Sequence, residues 1–170
     1  NYHYRHRAAA VSALSARLLA LAETAATANV KLTVDAEEAD RLELSLEIFE
    51  RVSRAMAPTG WDGFGLAIQA YGRRARAVIH WVANLAREID CRFMVRLVKG
   101  AYWDAEIKHA QVDGFEDFTV FTRKATTDVS FLCCAQDMLG HRDVMFCQFA
   151  THNAHTITAV MAMGRKAAVT

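Results

Sequence analysis

Apolar residues along this chain follow two rhythms. Short, nearly continuous apolar runs at Val30–Val34, Gly65–Gln69, Phe93–Val98 and Val144–Ala150 predict β-strands. Between them, apolar residues recur every three to four positions, the spacing of one buried helix face. Such stretches predict helices over Ala8–Asn29, Glu37–Met56, Ala75–Ile89 and Asp128–Leu139, with another starting over Thr156–Met163. Leu42, Leu46, Phe49, Val52 and Met56 mark the buried face of the second helix. Its acidic start, Glu37, Glu38 and Asp40, suits the positive end of a helix dipole. Pro58-Thr59-Gly60 and Gly100 punctuate the pattern.

Strand followed by helix, four times over, predicts a parallel sheet covered by helices. An open doubly wound sheet and a closed (β/α)8 barrel both fit that rhythm. A whole barrel takes about 200–250 residues, so these 170 could supply only about four units of one. An open sheet would be self-sufficient, and length alone favours it.

Composition narrows the class of function. With 53% hydrophobic and 23% charged residues, the chain is an ordinary globular one. A net charge of +1 makes no electrostatic case for nucleic acid. Asn1–Arg7 carries two His and two Arg, but no signal-peptide core follows, and no long apolar run predicts a membrane span. Cys91, Cys133, Cys134 and Cys147 show no CxxC spacing, which points to reduced, mostly buried thiols in the cytoplasm.

Polar residues gather where each strand ends: Asp35, Gln69, Arg96 with Lys99, and Gln148 with Thr151, His152 and Asn153. In parallel α/β folds those ends share one rim, where ligands bind. Strand ends are also polar simply because loops are, so Asp35 and Gln69 taken singly decide little. Arg96 decides more, because it interrupts an apolar run and a buried guanidinium needs an anionic partner. After it, Lys99-Gly100-Ala101-Tyr102-Trp103 offers a cation, a close backbone approach and two flat rings. There is neither a GxGxxG nor a GxxxxGK[ST] motif. His152 and His155 form an HxxH, not the HExxH of a zinc protease, so His152 reads as a hydrogen-bonding group and His155 as packed in its helix. A metal-dependent barrel hydrolase using Asp35, His152 and His155 is the rival catalytic reading, and a non-catalytic barrel remnant is the other.

The stretches DAEEADRLE (35–43), GLAIQAY (65–71), RLVKGAYWDAEIKHAQVDG (96–114), FTRKATTDVSFL (121–132) and QFATHNAHT (148–156) carry a further signal. In order and separation they resemble the proline dehydrogenase domain of bacterial proline utilization A, the bifunctional proline and pyrroline-5-carboxylate dehydrogenases. The resemblance implies a distorted (β/α)8 barrel that binds FAD. It also implies oxidation of L-proline to pyrroline-5-carboxylate, with electrons passed to membrane quinone. Carried onto this chain, it makes Asp35 an active-site carboxylate, Gln69 a residue that hydrogen-bonds the flavin ring, and Arg96 the cation beside the flavin's reactive edge. Val98, Lys99, Gly100 and Trp103 match the loop that wraps the cofactor, and Ala101 and Tyr102 border the proline pocket. Thr122, Arg123 and Lys124 match a segment on the cofactor's outer half, and Thr151, His152 and Asn153 match the next strand end on FAD.

Two departures stand out. Phe118-Thr119-Val120-Phe121 replaces the family's Tyr-Pro-Val-Tyr, and Phe146-Cys147 replaces its Tyr-Pro. Neither removes a charged contact. The family's upstream strand with an active-site lysine, its last two strands and the final helix with paired arginines have no counterpart among these residues. The chain thus reads as residues 1–170 of an internal barrel piece, about units three to six preceded by a helix, and inactive alone. Its expected setting is cytoplasmic, with peripheral contact at the inner membrane through the parent protein.

Overall fold

The computed structural model describes residues 7–168, so Asn1–His6 of the basic opening segment lie outside the described residues. Its helices are α1 (Arg7–Thr27), α2 (Leu42–Met56), α3 (Ala75–Glu88), α4 (Trp103–Val112), α5 (Lys124–Gly140) and α6 (Ala154–Ala168). Its strands are β1 (Leu32–Val34), β2 (Phe64–Gln69), β3 (Phe93–Val98) and β4 (Met145–Phe149). All neighbouring strands pair parallel in the order β1-β2-β3-β4.

That order decides between the two architectures. A doubly wound sheet reverses its strand order at a switch point and carries helices on both faces. Here the order never reverses. Leu32 and Val34, Phe64, Leu66 and Ile68, Phe93, Val95 and Leu97, and Met145 and Cys147 all join one core with α2, α3, α5 and α6. By strand alternation the other face carries Thr33, Gly65, Ala67, Met94, Arg96, Phe146 and Gln148. On this face Lys31, one residue before β1, places its ammonium 5.0 Å from the centre of the Phe146 ring in β4. The structure is an arc of a (β/α)8-type barrel, and the open sheet that length favoured is not what forms.

Local differences have local causes. β1 is shorter than the apolar run because the chain leaves α1 through Asn29 at φ 51 and returns Val30 N–H to Ala25 O at 2.9 Å. The stretch from Glu37 does not start a helix: Ala39–Arg41 is a single 3-10 turn, and α2 begins at Leu42. The dipole reading of Glu37 and Glu38 is therefore wrong. Their segment is held from outside, by Gln69 Nε2 on Glu37 O at 2.9 Å and Arg74 Nη2 on Ala39 O at 3.2 Å. Helix α4 was not expected, and α5 starts four residues earlier than its apolar spacing indicates. His155 is exposed on α6, not packed.

The expectation that no segment could cross a membrane also needs correcting. By length and composition, α1 is long and apolar enough. Its apolarity is spread over alanines around Arg17 and Glu23, so no single run betrays it. One side of α1 packs on α2, where Val11 meets Leu44 and Ile48 and Arg7 pairs with Glu47 at 2.6 Å.

Candidate functional site

The rim at the C-terminal ends of β1–β4 collects most of the sequence-predicted side chains. Ala67 in β2, Arg96 in β3 and Gln148 in β4 stand in register across the sheet. Arg96 reaches over β2 to form an ion pair with Asp35 at the end of β1. This is the anionic partner that its apolar setting demands, and one contact leaves most of the five guanidinium N–H groups for a ligand.

Gln69 ties two loops together. Its Oε1 accepts the Ala101 N–H at 2.9 Å while its Nε2 donates to Glu37 O. One amide hydrogen remains for a ligand. Gly100, at φ +148, has no room for a side chain, since a Cβ there would lie 2.3 Å from the Tyr71 ring. Tyr71 is buried, its hydroxyl unpartnered among the described residues. Burial, and next the charge of Glu106, push that phenol up to about 12; the Tyr102 backbone and Gln69 offset this only partly, without closing a hydrogen bond.

The loop after β3 is tied to α5 and the segment before it. Trp103 donates its indole N–H to Phe121 O at 2.8 Å, leaving the ring exposed. Lys99 pairs with Asp128, which also takes Lys124 at 3.2 Å on its other oxygen. Thr122 and Arg123 are exposed beside them, as are His152 and Asn153 on the loop after β4, while Thr151 is half-buried. Asn153 is partly committed to structure, because its Oδ1 caps α6 through Thr156 N–H at 2.9 Å. Ala101 is exposed and Tyr102 half-buried at the mouth between the two loops.

Three groups escaped sequence reasoning. Asp128 lies four residues after Lys124, a helical ion-pair spacing that could have been read. Glu106 is 5% exposed and accepts both Ala39 N–H at 2.6 Å and Thr119 Oγ1–H at 3.0 Å. Nothing local marks it, since its partners lie 67 and 13 residues away. Tyr71 likewise looked like part of an apolar run.

Among the described residues no three His, Cys, Asp or Glu side chains gather to hold a metal ion. Asp35 is already committed to Arg96, which leaves the hydrolase reading without its first ligand. A cavity of about 70 Å³ behind the rim, walled by Asp35, Gln69, Tyr71, Phe49 and Val78, sits on the helix side of the sheet. It is far below the 300–1,000 Å³ of a typical cofactor pocket. The inner face of the arc, cationic at its mouth, is the surface suited to a large anionic ligand.

The sequence profile of the proline dehydrogenase family matches residues 2–170. The chain belongs to this family. It is 49% identical over 144 residues to the bifunctional protein PutA of Salmonella typhimurium, covering 85% of this chain and 11% of that protein. Against PutA of Rhizobium meliloti the identity is 49% over 163 residues, 96% of this chain and 13% of the relative. A crystal structure of a Bradyrhizobium japonicum proline utilization A variant superposes with a TM-score of 0.92 at 52% identity, covering 94% of this chain and 16% of that one. The chain therefore spans a small part of the length of these family members. Their likeness to the arc confirms its barrel character.

Proposed function

We propose that this chain forms the flavin-facing arc of an enzyme that oxidises L-proline to pyrroline-5-carboxylate with FAD, the first step of proline catabolism. The observation that carries the proposal is the Asp35–Arg96 pair on the inner face, flanked by Gln69 at the next strand end. FAD fits the residues present. Lys99, Arg123 and Lys124 suit its phosphates, Gln69 keeps a free amide hydrogen, and the exposed Trp103 ring offers a stacking surface.

When bound, FAD supplies the two-electron acceptor that no side chain can provide. Arg96 holds positive charge at the rim, and Asp35 fixes its fork so that it is pre-oriented before proline arrives. Gln69 holds the Ala101–Tyr102 segment and the Glu37 segment at a constant separation, which sets the width of the mouth where proline enters. Val98, Gly100, Thr122, Thr151, His152 and Asn153 complete the cofactor's surroundings. Membrane quinone is the proposed electron acceptor, reached by a cytoplasmic parent protein in peripheral contact with the inner membrane.

The test uses the full-length parent protein. We expect visible flavin absorbance, bleaching by L-proline, and proline-dependent reduction of a quinone analogue. A purified, folded parent that carries no flavin and stays unaffected by proline would end this reading.

A further inference from the structure

Lys99 and Lys124 come from different places in the chain, the residue after β3 and the first residue of α5. Two ammonium groups on flexible stems would repel and point apart if left alone. Here a single carboxylate joins them: Asp128 takes Lys99 on Oδ1 and Lys124 on Oδ2. Asp128 sits one turn into α5, so the helix backbone sets its place. Lys124 is otherwise 80% exposed, and no other acidic partner is seen for it among the described residues.

We propose that Asp128 is a positioning residue that holds Lys99 and Lys124 together as one phosphate-binding pair for the cofactor; the proposal rests on the flavin reading above. The trio keeps a net charge of +1, and Arg123 beside it adds another. Lys99, then Lys124, hold the Asp128 carboxyl below the usual carboxylate range.

The rival account treats Asp128 as a surface anion that merely offsets positive charge. The two accounts predict opposite signs. If Asp128 only opposes incoming phosphate, removing its charge tightens anion binding. If it organises the lysines, removing it weakens binding although the site becomes more positive.

The experiment measures dissociation constants of FAD and of ADP, by flavin fluorescence and competition, for the full-length parent stripped of flavin. Wild type is compared with Asp128→Asn, Asp128→Ser and Asp128→Glu. We expect both neutral variants to bind FAD and ADP about tenfold more weakly. Asp128→Glu, which keeps the charge and can still bridge, should recover most of that loss. Neutral variants that bind FAD as well as wild type, or more tightly, overturn the proposal while leaving the flavin reading intact. Wild-type protein that binds no FAD overturns the flavin reading and this inference with it. The two neutral variants place different volumes on the same half-buried helix position, so the sign does not depend on one of them folding.

Discussion

Arg96 is the residue on which the site turns, because it combines an apolar strand, a committed counter-ion and an inward aspect. Replacing it by Met in the full-length parent leaves Asp35 without its partner and the rim without its central cation. We expect turnover of proline to fall by about 10²-fold or more, with weaker flavin retention, because a preorganised charge is lost. Arg96→Lys should recover only part, since a point charge cannot hold Asp35 and a ligand in one plane. Steady-state kinetics and flavin content of the two variants check this; unchanged values for Arg96→Met would remove Arg96 from the mechanism. Gly100 makes a purely steric case. Its φ of +148 and the Tyr71 ring 2.3 Å from a would-be Cβ both forbid a side chain. Gly100→Ala should cost about 1–3 kcal/mol and loosen the Lys99–Trp103 loop, read as a lowered unfolding midpoint together with lost flavin.

At the scale of elements, helix α4 is fastened by one buried carboxylate. Glu106 holds Ala39, just beyond Asp35, and Thr119, which stands where the family pattern carries proline and so adds a hydroxyl donor that proline lacks. Glu106→Ala strands two donors and should cost about 1–3 kcal/mol, whereas Glu106→Gln, still able to accept from Ala39, should cost less. Urea unfolding of the parent measures both. On the outer surface, Arg87 donates to His141 Nδ1 at 3.2 Å, so His141 carries its proton on Nε2 and donates it to His80 Nδ1 at 3.0 Å. Burial, then the charges of Arg87 and His80, lower the affinity of His141 for a second proton. The unfolded chain takes up that proton at its ordinary value, so stability is lost as pH falls below about 6.5, and His141→Asn should flatten that slope. Unfolding midpoints at about pH 7.5 and about pH 5.5 test the sign. The elements that sequence located best are β2 and β3, whose apolar runs are buried on both faces, and α3, whose apolar spacing faces one core. Helix α4 and the 3-10 turn at Ala39–Arg41 were illegible because distant partners stabilise them, Glu106 for one and Arg74 and Gln69 for the other. The site shows the same division. Asp35 and Gln69 stood out as polar groups ending apolar runs and Arg96 as a cation inside one, and Asp128 was marked only by its i,i+4 spacing from Lys124, whereas Glu106 acts through distant contacts that no local pattern encodes.

For the whole molecule, the decisive feature is curvature without closure. Strands β1 and β4 are the outer members of the described sheet, and each offers one side of its backbone for further pairing. The inner face carries Phe146, 45% exposed, with Lys31 and Arg92 lying 5.0 and 5.8 Å from its ring centre. In a closed barrel that face would be filled and both edges paired. Isolated residues 7–168 therefore present two strand templates and an exposed Phe146 ring on the inner face. We expect this isolated segment to self-associate in solution and to show no proline-dependent dye reduction, even with added FAD. Light scattering and the dye assay read the two outcomes separately. A monodisperse monomer with turnover would mean that half the barrel already holds a complete site. An inactive monomer would mean that the Lys31 and Arg92 contacts on Phe146 cover the inner face well enough to suppress pairing at the edges.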